Sequence, residues 1–322
     1  MAEAQAAPGA VLKGDRGDSL VQGKAQSGIA LSAVAVGVLA VSAAAIFIRL
    51  AEAPALAVAI WRNALGALVL LPIALYRRDT FPRGRILRIG VASGVALGTH
   101  FGFWISSLDY TSVAASVVLV CTQPVFVAIL AYLLFRERTS PLSFFGILVA
   151  LAGTAVIASD KAVGSATFFG NTLAVIGAVS IAVYVLIGRS LRTTGVGVLP
   201  YSIVVYASAA ATLVPAALYG GVPLWGYPGE TWFWLWVVTL GPQILGHTVL
   251  NWALRYIKAS IISGTILAEP VVSALLAWLI LSERPGLATL LGGAVVLAGL
   301  FLLLRGYRPP REKSTLPVEP VA

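Results

Sequence analysis

Apolar residues run in long unbroken stretches, and short polar segments punctuate them at near-regular intervals. An α-helix needs about 20 residues to cross about 30 Å of hydrocarbon. Measured against that length, the pattern predicts ten spans, at 29–48, 55–76, 86–107, 113–134, 141–159, 170–188, 199–219, 232–254, 260–281 and 286–304. Backbone polar groups inside a bilayer must be satisfied within the segment, so the stretches read as helices. The longest loop, 220–231 (GGVPLWGYPGET), is rich in Gly, Pro and Trp and reads as an interfacial loop. Residues 1–28 and 305–322 are polar or Pro-rich and are expected to be disordered, cytoplasmic ends. The start lacks the early apolar core of a cleaved signal peptide.

The pattern also occurs twice. Residues 100–153 slide onto 246–299 without a gap, at an offset of 146. Leu108 falls on Leu254, Tyr110 on Tyr256, Pro124-Val125 on Pro270-Val271, Glu137-Arg138 on Glu283-Arg284, Gly146 on Gly292 and Gly153 on Gly299. Upstream a weaker match at an offset of 143 places Arg49 on Arg192 and Pro72 on Pro215. Chance similarity of two apolar stretches does not align prolines and Glu-Arg pairs. With five spans per copy, 29–159 and 170–304, the second copy is threaded upside down relative to the first. Inverted repeats with a substrate site between them are an architecture of alternating-access transporters. The expected fold is therefore an all-α integral membrane protein, with two inverted five-helix repeats around a central cavity.

Composition agrees. Charged residues are 11% of the chain and hydrophobic ones 59%, with mean hydropathy +0.92. That is too little charge to cover a soluble surface, where about 25% is usual. The net charge of +9 raises the possibility of nucleic-acid binding, but the cations lie on alternate loops rather than on one face. With the N-terminus inside, eighteen Lys and Arg are cytoplasmic and three (Arg49, Lys161, Arg284) are outside, with Arg62 inside a span. The excess puts both termini in the cytoplasm, in a plasma (inner) membrane. One cysteine, Cys121, excludes an internal disulfide and a paired-Cys metal framework. No HExxH, GxSxG or Walker A loop is present, so neither an enzyme nor a cofactor is indicated, and uphill transport would draw on an ion gradient or exchange. An intramembrane hydrolase built on His100 or His247 would need a nucleophile within hydrogen-bond reach.

Polar side chains in the spans are few, and each demands a partner or water. Gly90, Gly94, Gly98 and Gly102 make a smooth stripe suited to tight helix packing. His100, Trp104 and Ser107 recur on the roughly opposite face of the same helix. Gln243, His247 and Asn251 recur at i, i+4 and i+8 on the eighth span, and Ser180 and Tyr184 form a weaker pair on the sixth. These stripes either bond to neighbouring helices or line a hydrated path. Arg62 either snorkels to the outer headgroups or turns inward to meet an anionic group. Glu269 lies mid-span, as a proton carrier or as a structural partner. Pro124 and Pro270, preceded by Gln123 and Glu269, are expected to break their helices and free the carbonyls of Val120 and Ile266. Glu137-Arg138 and Glu283-Arg284 read as helix-end contacts.

Taken together, Trp61-Arg62-Asn63-Ala64 leading to Leu70-Leu71-Pro72, and the paired segments from Gln123-Pro124 to Glu137-Arg138 and from Glu269-Pro270-Val271 to Glu283-Arg284, resemble the drug/metabolite transporter superfamily, in particular its EamA-type ten-helix members. The likeness covers roughly residues 29–305; Asn63 stands where an aromatic is usual. It implies two inverted five-helix bundles around a central cavity and export of amino acids or other small organic metabolites, in some members drugs. On this reading Trp104 and Tyr184 pack on substrate, and His100, Ser107, Gln123, Gln243, His247 and Asn251 supply polar contacts. Arg62 would take a carboxylate, and Glu269 or a histidine would carry a proton. The partners are a small-molecule substrate and the lipid bilayer, with the chain a monomer or homodimer.

Reporter fusions at residues 1 and 322 are expected to report the cytoplasm in both cases; opposite sides would exclude an even number of spans.

Overall fold

The computed structural model describes residues 14–110, 116, 119–158, 167–281 and 285–307, and these form helices and connecting turns. In chain order they are α1 (Gly14–Ser42), α2 (Ala44–Leu50), α3 (Ala55–Tyr76), α4 (Gly84–Tyr110), α5 (Gln123–Phe135), α6 (Pro141–Ala158), α7 (Phe168–Thr193), α8 (Val198–Tyr219) and α9 (Gly229–Val238). A π-helical segment (Thr239–Thr248) leads into α10 (Val249–Ala253). Then come α11 (Ala259–Thr265), a 3-10 turn (Ile266–Ala268), α12 (Glu269–Leu281) and α13 (Leu287–Arg305). Eight stretches are long and apolar enough to cross a membrane, and 123–135 and 141–157 are shorter apolar helices. Outward side chains such as Leu279, Leu290 and Phe301 are more than half exposed, as a lipid-facing surface requires.

Three local features depart from the sequence reading. The backbone is helical from Gly14, ahead of residue 29, because no proline lies between Pro8 and Pro54 to stop it. The fourth span is not one continuous helix. It turns at Cys121 and Thr122, and Pro124 sits in the first turn of α5, where its missing N–H does no harm. Pro270 likewise stands in the first turn of α12, after the 3-10 turn. The Ile266 carbonyl is therefore not freed: it accepts from the Glu269 N–H, three residues on. Residues 1–13 and 308–322, Lys161 and Glu283-Arg284 lie outside the described residues.

The two copies meet through glycines. A Cβ on Gly153 would lie 2.7 Å from the Gly292 carbonyl, and one on Gly146 2.6 Å from the Gly299 carbonyl. The numbers run in opposite directions, so α6 and α13 are antiparallel. The same pairs are also exchanged by the repeat, which maps Gly146 to Gly292 and Gly153 to Gly299. Residue i touches the mate of j while j touches the mate of i, the signature of a two-fold contact. Backbones approach this closely only where both helices carry small residues.

The α4 glycine stripe packs on α8. A Cβ at Gly94 would lie 2.5 Å from the Val205 carbonyl, and one at Gly98 2.9 Å from that of Ala209. This is the packing role expected for the stripe. The opposite side of α4 turns to α7, where Gly177 admits Trp104; its Cβ position is 3.2 Å from the Trp104 Cβ. At one end of the bundle the 220–228 loop folds onto Trp61. The indole N–H of Trp61 donates to the Leu224 carbonyl at 2.8 Å, and its ring meets Trp225 and Trp232 edge-on. Amphipathic rings of this kind suit the membrane–water boundary.

Gly299→Leu is expected to destabilise the protein by about 1–3 kcal/mol or more, because its side chain would overlap the Ala150 backbone. Gly293→Ala, whose Cβ would meet Val271 at an ordinary 3.7 Å, serves as the neutral control. Thermal unfolding of detergent-purified protein measures both.

Candidate functional site

Interruptions in α5, α12 and the α9–α10 stretch converge on one cavity of about 100 Å³. Val120, Cys121 and Gln123 reach it from the first break, and Ile266 and Glu269 from the second. The third irregularity contains Pro242, which has no N–H to give to the Val238 carbonyl. The backbone widens into π-helix, and Tyr206 braces the widened turn. Its hydroxyl donates to the Gln243 carbonyl at 3.1 Å and shares a hydrogen bond with the Thr248 hydroxyl at 2.9 Å. π-Helical insertions concentrate at functional sites. Here the insertion turns Gln243 towards α3 while His247 and Asn251 line the cavity.

Arg62 is the charged centre of this wall. It is only 2% exposed and lines the cavity rather than reaching the headgroups. Its Nε donates to Gln243 Oε1 at 2.7 Å, Gln243 Nε2 donates to Asn63 Oδ1 at 3.1 Å, and Asn63 Nδ2 donates to the Ala59 carbonyl. The guanidinium lies 4.6 Å above the Phe101 ring. Nε and the ring face are thus committed to orienting the group, which leaves the two Nη amino groups for a ligand. Glu269 lines the same cavity, and no salt bridge joins it to Arg62 among the described residues.

Around these charges stand polar groups with specific valences. His100 Nδ1 lies 3.0 Å from the Gly177 carbonyl. A carbonyl only accepts, so Nδ1 carries the proton and Nε2 of the neutral ring is an acceptor. The imidazole stacks on Trp104 at 5.8 Å, with the rings 6° apart. Tyr184 donates to Asn251 Oδ1 at 2.9 Å, which leaves the Asn251 amide N–H groups. His247 packs edge-on to Phe101 and Tyr184. Among the described residues, four buried polar atoms of the lining have no hydrogen-bond partner: Trp104 Nε1, Gln123 Oε1, Asn251 Nδ2 and Ser263 Oγ. Buried polar groups are nearly always paired, so a cluster of unpaired ones asks for a ligand or water.

Of the residues singled out from sequence, Arg62, His100, Trp104, Gln123, Tyr184, His247, Asn251 and Glu269 share the cavity. Ser107 does not. Its hydroxyl is spent on the Trp104 carbonyl and on Ser116 Oγ, both at 2.6 Å. Gln243 is fully buried and acts through Arg62. Pro124 and Pro270 stand behind the lining and shape it without touching it. Ser180 bonds back to the Ile176 carbonyl in its own helix. Phe101 and Ser263 escaped the sequence reading, and Asn63, noted there only as standing where an aromatic is usual, holds Gln243 through its amide.

A second polar cluster joins the two repeats at one end of the cavity. Glu137, just past α5, accepts from Arg189 Nη2 at 3.1 Å, and Arg189 Nη1 donates to the Leu254 carbonyl at 2.5 Å. Arg192 Nε donates to the Asn251 carbonyl at 3.1 Å and its Nη1 to the Val196 carbonyl. The Glu137 contact expected at a helix end is thus a tie across the repeats.

Comparison with known proteins fits this arrangement. Residues 26–159 and 168–305 each match the EamA-like transporter family, two copies that coincide with the duplicated pattern. An uncharacterized transporter of Archaeoglobus fulgidus is 26% identical over 285 residues, covering 87% of this chain and 96% of its own. The pseudopaline exporter CntI of Pseudomonas aeruginosa is 24% identical over 284 residues, again covering 87% and 96%. A protein of known crystal structure superposes with a TM-score of 0.71 at 21% identity, covering 85% of this chain and 96% of its own, which supports the fold. With both repeats matched over most of its length, the chain belongs to the EamA-like transporter family.

Proposed function

We infer that the protein is a secondary-active exporter of small organic metabolites that carry a carboxylate, amino acids included, working by alternating access between two inverted five-helix repeats. The observation that carries this reading is Arg62, buried and oriented by Gln243 and Phe101 with its Nη groups free for an anion. A guanidinium is matched to a carboxylate by its paired donors. Glu269, His100 Nε2 and Gln123 Oε1 supply acceptors in the same cavity, which suits an ammonium or hydroxyl on the same substrate. Trp104, Phe101 and Ile181 provide apolar wall. The substrate's charge replaces missing protein partners, so binding satisfies groups that are otherwise unpaired.

Coupling rests on Glu269. A carboxylate at membrane depth is expensive unless protonated, paired or hydrated. Loading a proton there as the substrate leaves, and releasing it as the substrate binds beside Arg62, would link export to a proton gradient. The Arg189–Glu137 tie joins the repeats at one end of the cavity, the cytoplasmic end by the distribution of Lys and Arg, and would have to part for that end to open. Kinship to an exporter by name, CntI, favours the outward direction.

Purified protein reconstituted in liposomes tests the reading, after thermal-shift screening against carboxylated and uncharged metabolites selects the substrate. Arg62→Gln is expected to abolish carboxylate transport, a loss of about a hundredfold or more for a charge-assisted contact; full flux in this variant would remove the anion from the site. Asn251→Ala and His100→Ala are expected to lower flux about tenfold, equivalent to about 1.4 kcal/mol of binding, with unfolding temperature little changed. Glu269→Gln is expected to abolish accumulation driven by a pH gradient while retaining substrate exchange; gradient-driven accumulation at the native level would exclude Glu269 as the carrier.

A further inference from the structure

A second cavity, of about 700 Å³, opens between the two repeats, away from the central cavity, at the end that the distribution of Lys and Arg assigns to the cytoplasm. Its polar rim holds two cations, Arg138 and Lys258, and no acidic side chain lines it among the described residues. Lys258 Nζ donates to the Arg138 carbonyl at 3.2 Å, which brings the two loops together while leaving the Arg138 guanidinium without an ion pair among the described residues. Glu137, next to Arg138 in the chain, is engaged with Arg189. Two hydroxyls in the wall, Thr139 Oγ1 and Tyr307 Oη, are buried with no hydrogen-bond partner among the described residues. Below the rim the lining becomes apolar and faces outward, with Ile129 48% and Leu133 59% exposed.

We propose that this cavity binds an anionic phospholipid of the cytoplasmic leaflet, with the headgroup phosphate between Arg138, Lys258 and the unpaired hydroxyls and an acyl chain along Ile129 and Leu133. Cations at the rim with hydrocarbon surface directly beneath match an amphiphile's own order of charge and apolar chain. A soluble phosphate would leave the apolar part of the cavity unused. The ligand neutralises an otherwise uncompensated pair of charges, as basic pockets between helices do for acidic headgroups on this side of a membrane. The inference is independent of what the central cavity transports.

Native mass spectrometry of the full chain in detergent, supplied with equal amounts of dioleoylphosphatidylglycerol and dioleoylphosphatidylcholine, tests it. Wild type is expected to retain the anionic lipid about tenfold better, the scale set by two cations at an anionic surface. The double variant Arg138→Gln/Lys258→Gln is expected to lose that preference while still retaining phosphatidylcholine, which also reports that it is folded. Arg138→Lys/Lys258→Arg is expected to keep the preference. Equal retention of the two lipids by wild type, or an unchanged preference in the double Gln variant, would overturn the proposal. Displacement of the lipid by excess inorganic phosphate would do so too, because it would make the site one for a free anion.

Discussion

Hydrocarbon offers no hydrogen bonds, and that single constraint organises the molecule. Each spanning segment must close its own backbone ladder, so helix is imposed wherever lipid is the neighbour. Departures from regular helix survive only where protein or water covers them. The described breaks obey this. The turn at Cys121-Thr122, the 3-10 turn at Ile266–Ala268 and the π-helix at Thr239–Thr248 all abut the central cavity. Two prolines in matching places of the repeats mark the first pair, and Pro242 marks the third. The chain is irregular where it borders the central cavity and regular where it faces outward.

The same scarcity of partners explains the electrostatics of the site. Arg62 sits at depth only because Gln243, Asn63 and the Phe101 ring share its orientation. None of them carries a charge, and no ion pair compensates it among the described residues. Asn251 and Tyr184 form a similar half-satisfied pair in the second repeat. The surrounding helices can afford this because their contacts elsewhere are dense. Gly146, Gly153, Gly292 and Gly299 let α6 and α13 touch backbone to backbone, and the α4 stripe does the same against α8. Rigid glycine seams hold the frame, and polar residues left wanting partners face the cavity between them.

Most of the architecture was legible in the residues. Apolar run lengths gave eight spanning stretches to within about five positions, since a bilayer sets that length from outside the protein, whereas 113–134 and 141–159 meet shorter apolar helices at 123–135 and 141–157. The aligned prolines and glycines announced the duplication, and the antiparallel contact of α6 with α13 is what such a duplication requires. The roles of the polar stripes were less legible. Helical spacing placed Gln243, His247 and Asn251 on one line, but the π-helix rotates Gln243 out of the cavity and onto Arg62. His100, Trp104 and Ser107 formed a line too, yet Ser107 is consumed by Ser116 in the packing.

What the sequence alone determined is the class of surroundings: a duplicated set of apolar helices, a few polar groups that must turn inward, and an excess of cations on alternate loops. Solvent and lipid act on every residue locally, so their demands are written in composition and period. What only the tertiary structure decided is which polar atoms are already answered by a neighbour. That depends on contacts such as Arg62 with Gln243, 181 positions apart, and on Glu137 with Arg189 across the repeats. The direction of a side chain at an irregular turn, and the partner it then meets, are properties of the packed bundle.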